Sequence, residues 1–135
     1  MANRFNWIYY GNKSQNKYGN QKITIDGETF DSKREAQRWQ ELKLAESADA
    51  IRDLKRQVRF EVIPAQREPD ERGAKGGVKK GKTIERKVEY VADFTYIDTQ
   101  TGELVVEDTK GMRTPEYIIK RKLMLQVHGI RIREV

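Results

Sequence analysis

Residues 87–110 constrain the fold more than any other stretch of this chain. Along 87–97 the side chains divide with a period of two. Tyr90, Ala92, Phe94 and Tyr96 fall on one side, and Val91, Asp93, Thr95 and Ile97 on the other. That period specifies a strand. Thr99-Gln100-Thr101-Gly102 reads as a turn, and 104–110 as a second strand ended by Gly111. The chain must therefore build a β-hairpin, and a hairpin needs further elements to cover it. Residues 22–25 form a short strand, Asp26-Gly27 a turn, and Phe30 closes that small β element. Ser32 caps a helix with Glu35 at the third position, and the helix runs through Ala36, Trp39, Leu42 and Ala45 to about Ser47. Glu35, Trp39 and Leu42 share one helical face. Residues 57–63 form a strand with Val58, Phe60 and Val62 on one face, ended by Pro64. Thr114-Pro115 starts a second helix that runs to about Val127, with Gly129 as its stop and a last strand at 130–135. The predicted fold is a single α/β domain with a mixed central sheet. It comprises a basic arm at 1–21 and a folded domain at 22–135, with a charged Gly/Lys-rich insertion at 65–87.

Composition removes several classes of chemistry. With 135 residues the chain is long enough for one domain with its own core. It has no Cys, so disulfide frameworks, Cys-bearing zinc sites, Fe–S clusters and cysteine nucleophiles are excluded. A single His excludes a two-His metal site. No apolar run approaches the ~18 residues that a membrane span needs. The opening residues lack the pattern of a signal peptide. The expectation is a soluble, intracellular protein with no membrane partner.

Net charge is +6 and unevenly placed. Residues 1–22 hold four basic and no acidic residues, and 65–87 hold eight basic against four acidic, which leaves the remainder slightly acidic. Basic segments on a near-neutral body suggest a polyanion partner, most often nucleic acid. Charged tracts of this kind also read simply as solvated. The insertion has the composition of a loop rather than of core.

The chemistry concentrates on the hairpin. Asp108 and Lys110 point to one face, and pairing symmetric about the turn places Asp93 opposite Asp108; a bulge at the Gly102 turn would slip that register by one. Like charges facing each other on a sheet are destabilising, and a divalent cation such as Mg²⁺ is the natural compensation. Lys110 is placed to orient or deprotonate a water, or to neutralise charge on a phosphate. Glu35 offers a third carboxylate. Asp, Asp-x-Lys and a helical Glu together describe a site for metal-assisted phosphodiester hydrolysis. The alternatives are plain: Glu35 as a capping-box residue, and Asp93 in a structural ion pair with Lys110. Glu107 falls on the opposite face and reads as solvent-facing or structural.

Glu35, Tyr90-Val91-Ala92-Asp93-Phe94 and Val105-Val106-Glu107-Asp108-Thr109-Lys110-Gly111 together resemble the PD-(D/E)xK nuclease superfamily. Ala92 stands where that motif often has Pro. The inferred helix, three strands, helix, strand order is similar to that superfamily's restriction-endonuclease-like core. Ile25-Asp26-Gly27, Phe30-Asp31-Ser32-Lys33, Gln57-Val58-x-Phe60 and Met112-Arg113-Thr114-Pro115-x-Tyr117 are similar to a family of phage and prophage proteins described as endonucleases resembling Holliday-junction resolvases. The resemblance covers residues 17–135, less the basic insertion. It implies Mg²⁺ or Mn²⁺ on Asp93 and Asp108, with the Thr109 carbonyl and Glu35 completing the ligands and Lys110 assisting the water. It further implies a homodimer acting on branched DNA in phage recombination, in the cytoplasm of a bacterial host.

Arg113, Lys120 and Lys122 around the second helix, and Lys79, Lys80 and Lys82 in the insertion, are candidate DNA contacts. Arg121 reads equally well as solvated. The helix's apolar residues spread around more than one face, which suggests the sheet on one side and a dimer contact on the other. A DNA-binding or assembly module that keeps the fold without cutting is the competing class.

Residues 76–83 match the P-loop pattern G-x-x-x-x-G-K-[ST] letter for letter. A P-loop needs a buried strand before it and a helix after it. Residues 67–75 are polar and the sequence after Thr83 alternates as a strand, so nucleotide binding is rejected. His128 beside Gly129 is expected to engage helix-terminal carbonyls rather than to catalyse.

Overall fold

The hairpin that the alternation demands is present in the computed structural model, which describes residues 21–135. The arm expected at 1–21 falls almost wholly outside the described residues. The elements in order are β1 (Ile23–Ile25), β2 (Glu28–Phe30), α1 (Lys33–Ser47), β3 (Ile51–Ile63), β4 (Gln66–Arg67), β5 (Glu71–Arg72), β6 (Val78–Lys79), β7 (Thr83–Glu85), β8 (Val88–Asp98), β9 (Leu104–Asp108), α2 (Pro115–His128) and β10 (Arg133–Glu134).

The main sheet has the order β10-β9-β8-β3. β8 and β9 are joined by a tight turn in which Asp98 N donates to Glu103 O at 3.0 Å while Gly102 N, at φ 72°, donates to Asp98 O at 2.7 Å, so two residues of one limb face Asp98 and the symmetric register slips by one at the turn. A turn this short permits only antiparallel pairing. β9 and β10 are parallel, pairing Glu107 with Arg133 and Asp108 with Glu134, because α2 carries the chain back across the sheet. The fold is thus α/β with a mixed sheet and two helices, as expected.

Both helices begin where the caps predict. Ser32 Oγ accepts from Glu35 N at 3.1 Å, and Thr114 Oγ1 accepts from Tyr117 N at 3.2 Å. α2 ends on Gly129, whose φ of 66° is the left-handed conformation that a side chain would strain.

The chain forms two compact units. The first runs to Leu54 and includes Tyr96–Leu104. Its core gathers Ile23, Phe30 and Ala36, with Ile25 and Trp39 packed against them. The second comprises Lys55–Thr95 and Val105–Val135. Its core gathers Val62, Tyr90, Ala92, Val106, Tyr117, Met124 and Ile132, so that α2 packs on one face of the strands.

Four expectations change. β3 begins at Ile51 rather than near Gln57, because Asp53 and Gln57 take positive φ (56° and 51°) and break the alternation that marks a strand. Residues 65–87 are not an irregular loop. They fold as a two-stranded ribbon, with β4 paired to β7 and β5 to β6, both antiparallel. His128 Nε2 lies 2.7 Å from the Glu61 carbonyl on β3, not on the helix's own last carbonyls. Glu107 is fully buried, which removes the solvent-facing reading and leaves the structural one.

Candidate active site

β8 and β9 bring their acidic residues together at the end of the hairpin far from the turn. Asp93 is half-buried, and its Oδ2 accepts from Thr109 N at 2.8 Å and from Thr109 Oγ1 at 2.7 Å. Asp108 is only 2% exposed. Its Oδ2 accepts from the Tyr90 hydroxyl at 2.6 Å, a length typical of a charge-assisted bond. Its Oδ1 is buried and lies 3.1 Å from Lys110 Nζ, yet has no partner that meets hydrogen-bond geometry among the described residues. The alternative in which Lys110 pairs with Asp93 is not what forms; the ion pair is with Asp108.

The electrostatics follow from burial. Desolvation pushes the Asp93 carboxyl above the ordinary aspartate value, and the charge of Asp108 pushes it further, against the lowering effect of Thr109's two donors. Burial raises the Tyr90 hydroxyl first, and its bond to the Asp108 carboxylate raises it again, so Tyr90 stays a proton donor to that oxygen. The pair is therefore a concentration of negative charge with one acceptor oxygen left over.

Behind it stands a second group on α2 and β10. Lys110 Nζ lies 4.2 Å from the centroid of the Tyr117 ring, within cation–π range. The Tyr117 hydroxyl donates to Glu134 Oε1 at 3.0 Å, and Arg121 Nη1 donates to the same oxygen at 2.8 Å. Arg113 Nε donates to Glu134 Oε2 at 2.7 Å. Hydrogen bonds from Arg113 and Arg121 hold the Glu134 carboxyl down at about 2. Burial and the Glu134 bond push the Tyr117 hydroxyl up.

The structure brings Asp93, Asp108, Thr109 and Lys110 together in the second unit. Thr109 takes part through its two donors, on Asp93. Glu35 is buried at 4% exposure and belongs to the first unit. Among the described residues no three His or acidic side chains group as a metal-binding set. Two carboxylates suffice for a magnesium-type ion whose other ligands are waters and substrate oxygens, and the leftover buried Asp108 oxygen fits that chemistry.

Of the candidate DNA contacts, Lys79, Lys80, Lys82 and Lys122 are exposed. Arg113 is engaged by Glu134, and Lys120 pairs with Glu116 at 3.0 Å one helical turn away. Arg121 is not a solvated side chain but a ligand of Glu134. Ile119, Leu125 and Val127 remain exposed on α2, at spacings that spread them around the helix rather than along one stripe. After Thr83 comes strand β7, so the P-loop pattern has no helix N-terminus to serve it.

Sequence reasoning missed Tyr90, Tyr117 and Glu134. The symmetric register puts Tyr90 and Asp108 on opposite faces; the bulge at Gly102 slips the register by one and brings them to the same face. Tyr117 carried a signal, since it opens α2 only seven residues after Lys110. Glu134 carried none beyond its place next to the final strand.

No curated protein and no solved structure matches this chain. The family model described as "Protein of unknown function (DUF1064)" matches residues 15–133, nearly the whole length, and the chain belongs to that DUF1064 family.

Proposed function

We propose that the protein is a divalent-metal-dependent endodeoxyribonuclease that hydrolyses phosphodiester bonds, with branched DNA of the Holliday-junction type as its substrate. The observation that carries the reading is the buried oxygen of Asp108. Among the described residues it is met only by the Lys110 ammonium, an ion pair at 3.1 Å without hydrogen-bond geometry, and it sits beside a second carboxylate. Two like charges held this close in a sheet cost stability unless a cation joins them. Asp93 and Asp108 are the residues that would hold Mg²⁺ or Mn²⁺, which supplies Lewis-acid stabilisation of charge on the phosphate when bound. Thr109 fixes the Asp93 carboxylate by two donors, and Tyr90 fixes that of Asp108. Lys110, held between Asp108 and the Tyr117 ring, orients the attacking water or neutralises phosphate charge. A ligand role for Glu35 rests on the resemblance alone. Branched substrate, a homodimer and a role in phage DNA recombination within the host cytoplasm rest on the resemblance to the PD-(D/E)xK superfamily and to resolvase-like phage proteins.

A second reading is a nucleic-acid-binding module that does not cut. It is favoured by the exposed Lys79, Lys80 and Lys82, which can meet phosphates without any part in a cleavage step. One experiment separates the two. Purified protein and its Asp108→Ala variant are incubated with a four-way junction, a nicked duplex and a linear duplex, with Mg²⁺, Mn²⁺ or EDTA. Metal-dependent cutting of the junction that vanishes in the variant supports the resolvase reading. Equal cutting of all three keeps the nuclease and removes the junction preference. Binding without cutting by both proteins favours the module.

A further inference from the structure

Every residue from 66 to 80 is exposed, and so is every residue from 82 to 87. The segment is nonetheless ordered by its own bonds. Glu68 N donates to Lys82 O at 2.9 Å, Gly81 N to Asp70 Oδ1 at 2.9 Å, and Gly73 N to Gly77 O at 2.7 Å. The two limbs approach so closely at Gly81 that a Cβ there would sit 1.8 Å from the Glu68 carbonyl oxygen. A two-stranded ribbon that buries no apolar surface is marginal on its own. Its bonds therefore serve its outer surface, not a core.

That surface is polarised. The outgoing limb, 66–72, carries Glu68, Asp70 and Glu71 against Arg67 and Arg72. Along the tip and return limb, Lys75, Lys79, Lys80 and Lys82 stand against a single acidic residue, Glu85. Those four ammonium groups form no ion pair among the described residues. The tip is built from Gly73, Ala74, Gly76 and Gly77, so little side chain stands between its backbone and an approaching surface. In a two-stranded ribbon each strand is also an open edge, so the return limb presents backbone donors beside its lysines.

We infer that this ribbon is a nucleic-acid clamp, which enters the major groove of a DNA duplex with its lysine-bearing return limb against the phosphates. The major groove, about 12 Å wide, admits a two-stranded ribbon, whereas the minor groove, about 6 Å wide, does not. This rests on the DNA reading above but not on cleavage. The ribbon is the element that grips duplex, and the carboxylate pair is a separate device.

The test is duplex binding by the full-length protein, followed by fluorescence anisotropy across a salt series with EDTA present. The triple variant Lys79→Ala/Lys80→Ala/Lys82→Ala is compared with Lys33→Ala/Lys43→Ala, which removes positive charge from α1 instead. The triple variant should bind at least tenfold more weakly at moderate salt. Its log–log salt slope should shrink by about 0.9 for each phosphate that is no longer neutralised. The α1 variant should stay close to the parent, and guanine N7 in the bound duplex should be protected from methylation by the parent only. Unchanged affinity and slope in the triple variant, or no N7 protection by the parent, would overturn the inference. So would a dimer that dissociates in the triple variant without loss of DNA binding, which would make the ribbon an interface between copies. Parent protein that binds through the ribbon but never cuts would sink the nuclease reading and leave the clamp standing.

Discussion

At the scale of single residues, the hydroxyl of Tyr90 and the Oδ1 oxygen of Asp108 decide most about the site. Tyr90 supplies the one hydrogen bond seen on Asp108 Oδ2. Tyr90→Phe leaves a buried carboxylate oxygen without a donor, which costs about 1.5–3 kcal/mol. Chemical denaturation should show that loss; a variant as stable as the parent would mean that Asp108 is hydrated instead. Asp108→Asn acts the other way. It keeps an acceptor for Tyr90 but removes one of two like charges. It also removes the ion pair with Lys110, an opposing effect, so without divalent cations its stability should stay within about 1 kcal/mol of the parent. Mg²⁺ should raise the melting temperature of the parent and leave that of Asp108→Asn unchanged. An equal rise in both would locate the cation elsewhere. Asp108 and Lys110 were legible together because they lie two residues apart on one strand face. Tyr90 was not, because its meeting with Asp108 depends on the one-residue slip at Gly102, which the turn residues allow but do not fix.

At the scale of elements, α2 and β10 are locked by Glu134, which gathers Arg113, Arg121 and the Tyr117 hydroxyl. Its carboxyl is held down at about 2, below its value in an unfolded chain. A depressed carboxylate contributes stability that is present above the unfolded value, near 4.5, and is lost as pH falls through about 2. Glu134→Gln should therefore flatten the stability–pH curve across that window and lower stability at neutral pH. Urea titrations between pH 2 and 6 measure it, and parallel curves for the two proteins would deny the lock. β3 poses a different question. It is an edge strand with Asp53 at φ 56°, where the left-handed conformation costs an L-residue about 1–2 kcal/mol and a β-branched one more. Asp53→Val, favoured by strand propensity, should destabilise by about 1–2 kcal/mol. An unchanged urea midpoint would show that the backbone relaxes there. The helices, with their caps at Ser32 and Thr114, were readable to within a residue or so. The first half of β3 was not, because positive φ at Asp53 and Gln57 erases the period of two.

At the scale of the whole molecule, charge and fold are separable. The order of hairpin, helix, strands, helix and strand follows from periodicity and caps. The ribbon does not, because a segment with no apolar pattern to bury looks like any solvated loop. Its order comes from backbone bonds that close across Gly81 and the Gly-rich tip, and glycines read as loop. β3 and β8 are neighbours in the sheet, and Thr99 Oγ1 donates to the Asp49 and Ala50 carbonyls where β3 begins. The pair is therefore antiparallel, and the end of β3 lies beside the start of β8. Excising residues 66–85 and closing the gap with a short Gly-containing turn should leave the sheet intact. The excised ribbon contributes no residue to either of the two cores described for the units. The shortened protein should keep its circular-dichroism spectrum and melt within a few degrees of the parent, because it loses almost no buried apolar area. Its affinity for duplex should fall with that of the lysine variant. A collapse in melting temperature would mean instead that the ribbon braces the strands on which it is mounted, and that its lysines are secondary to that task.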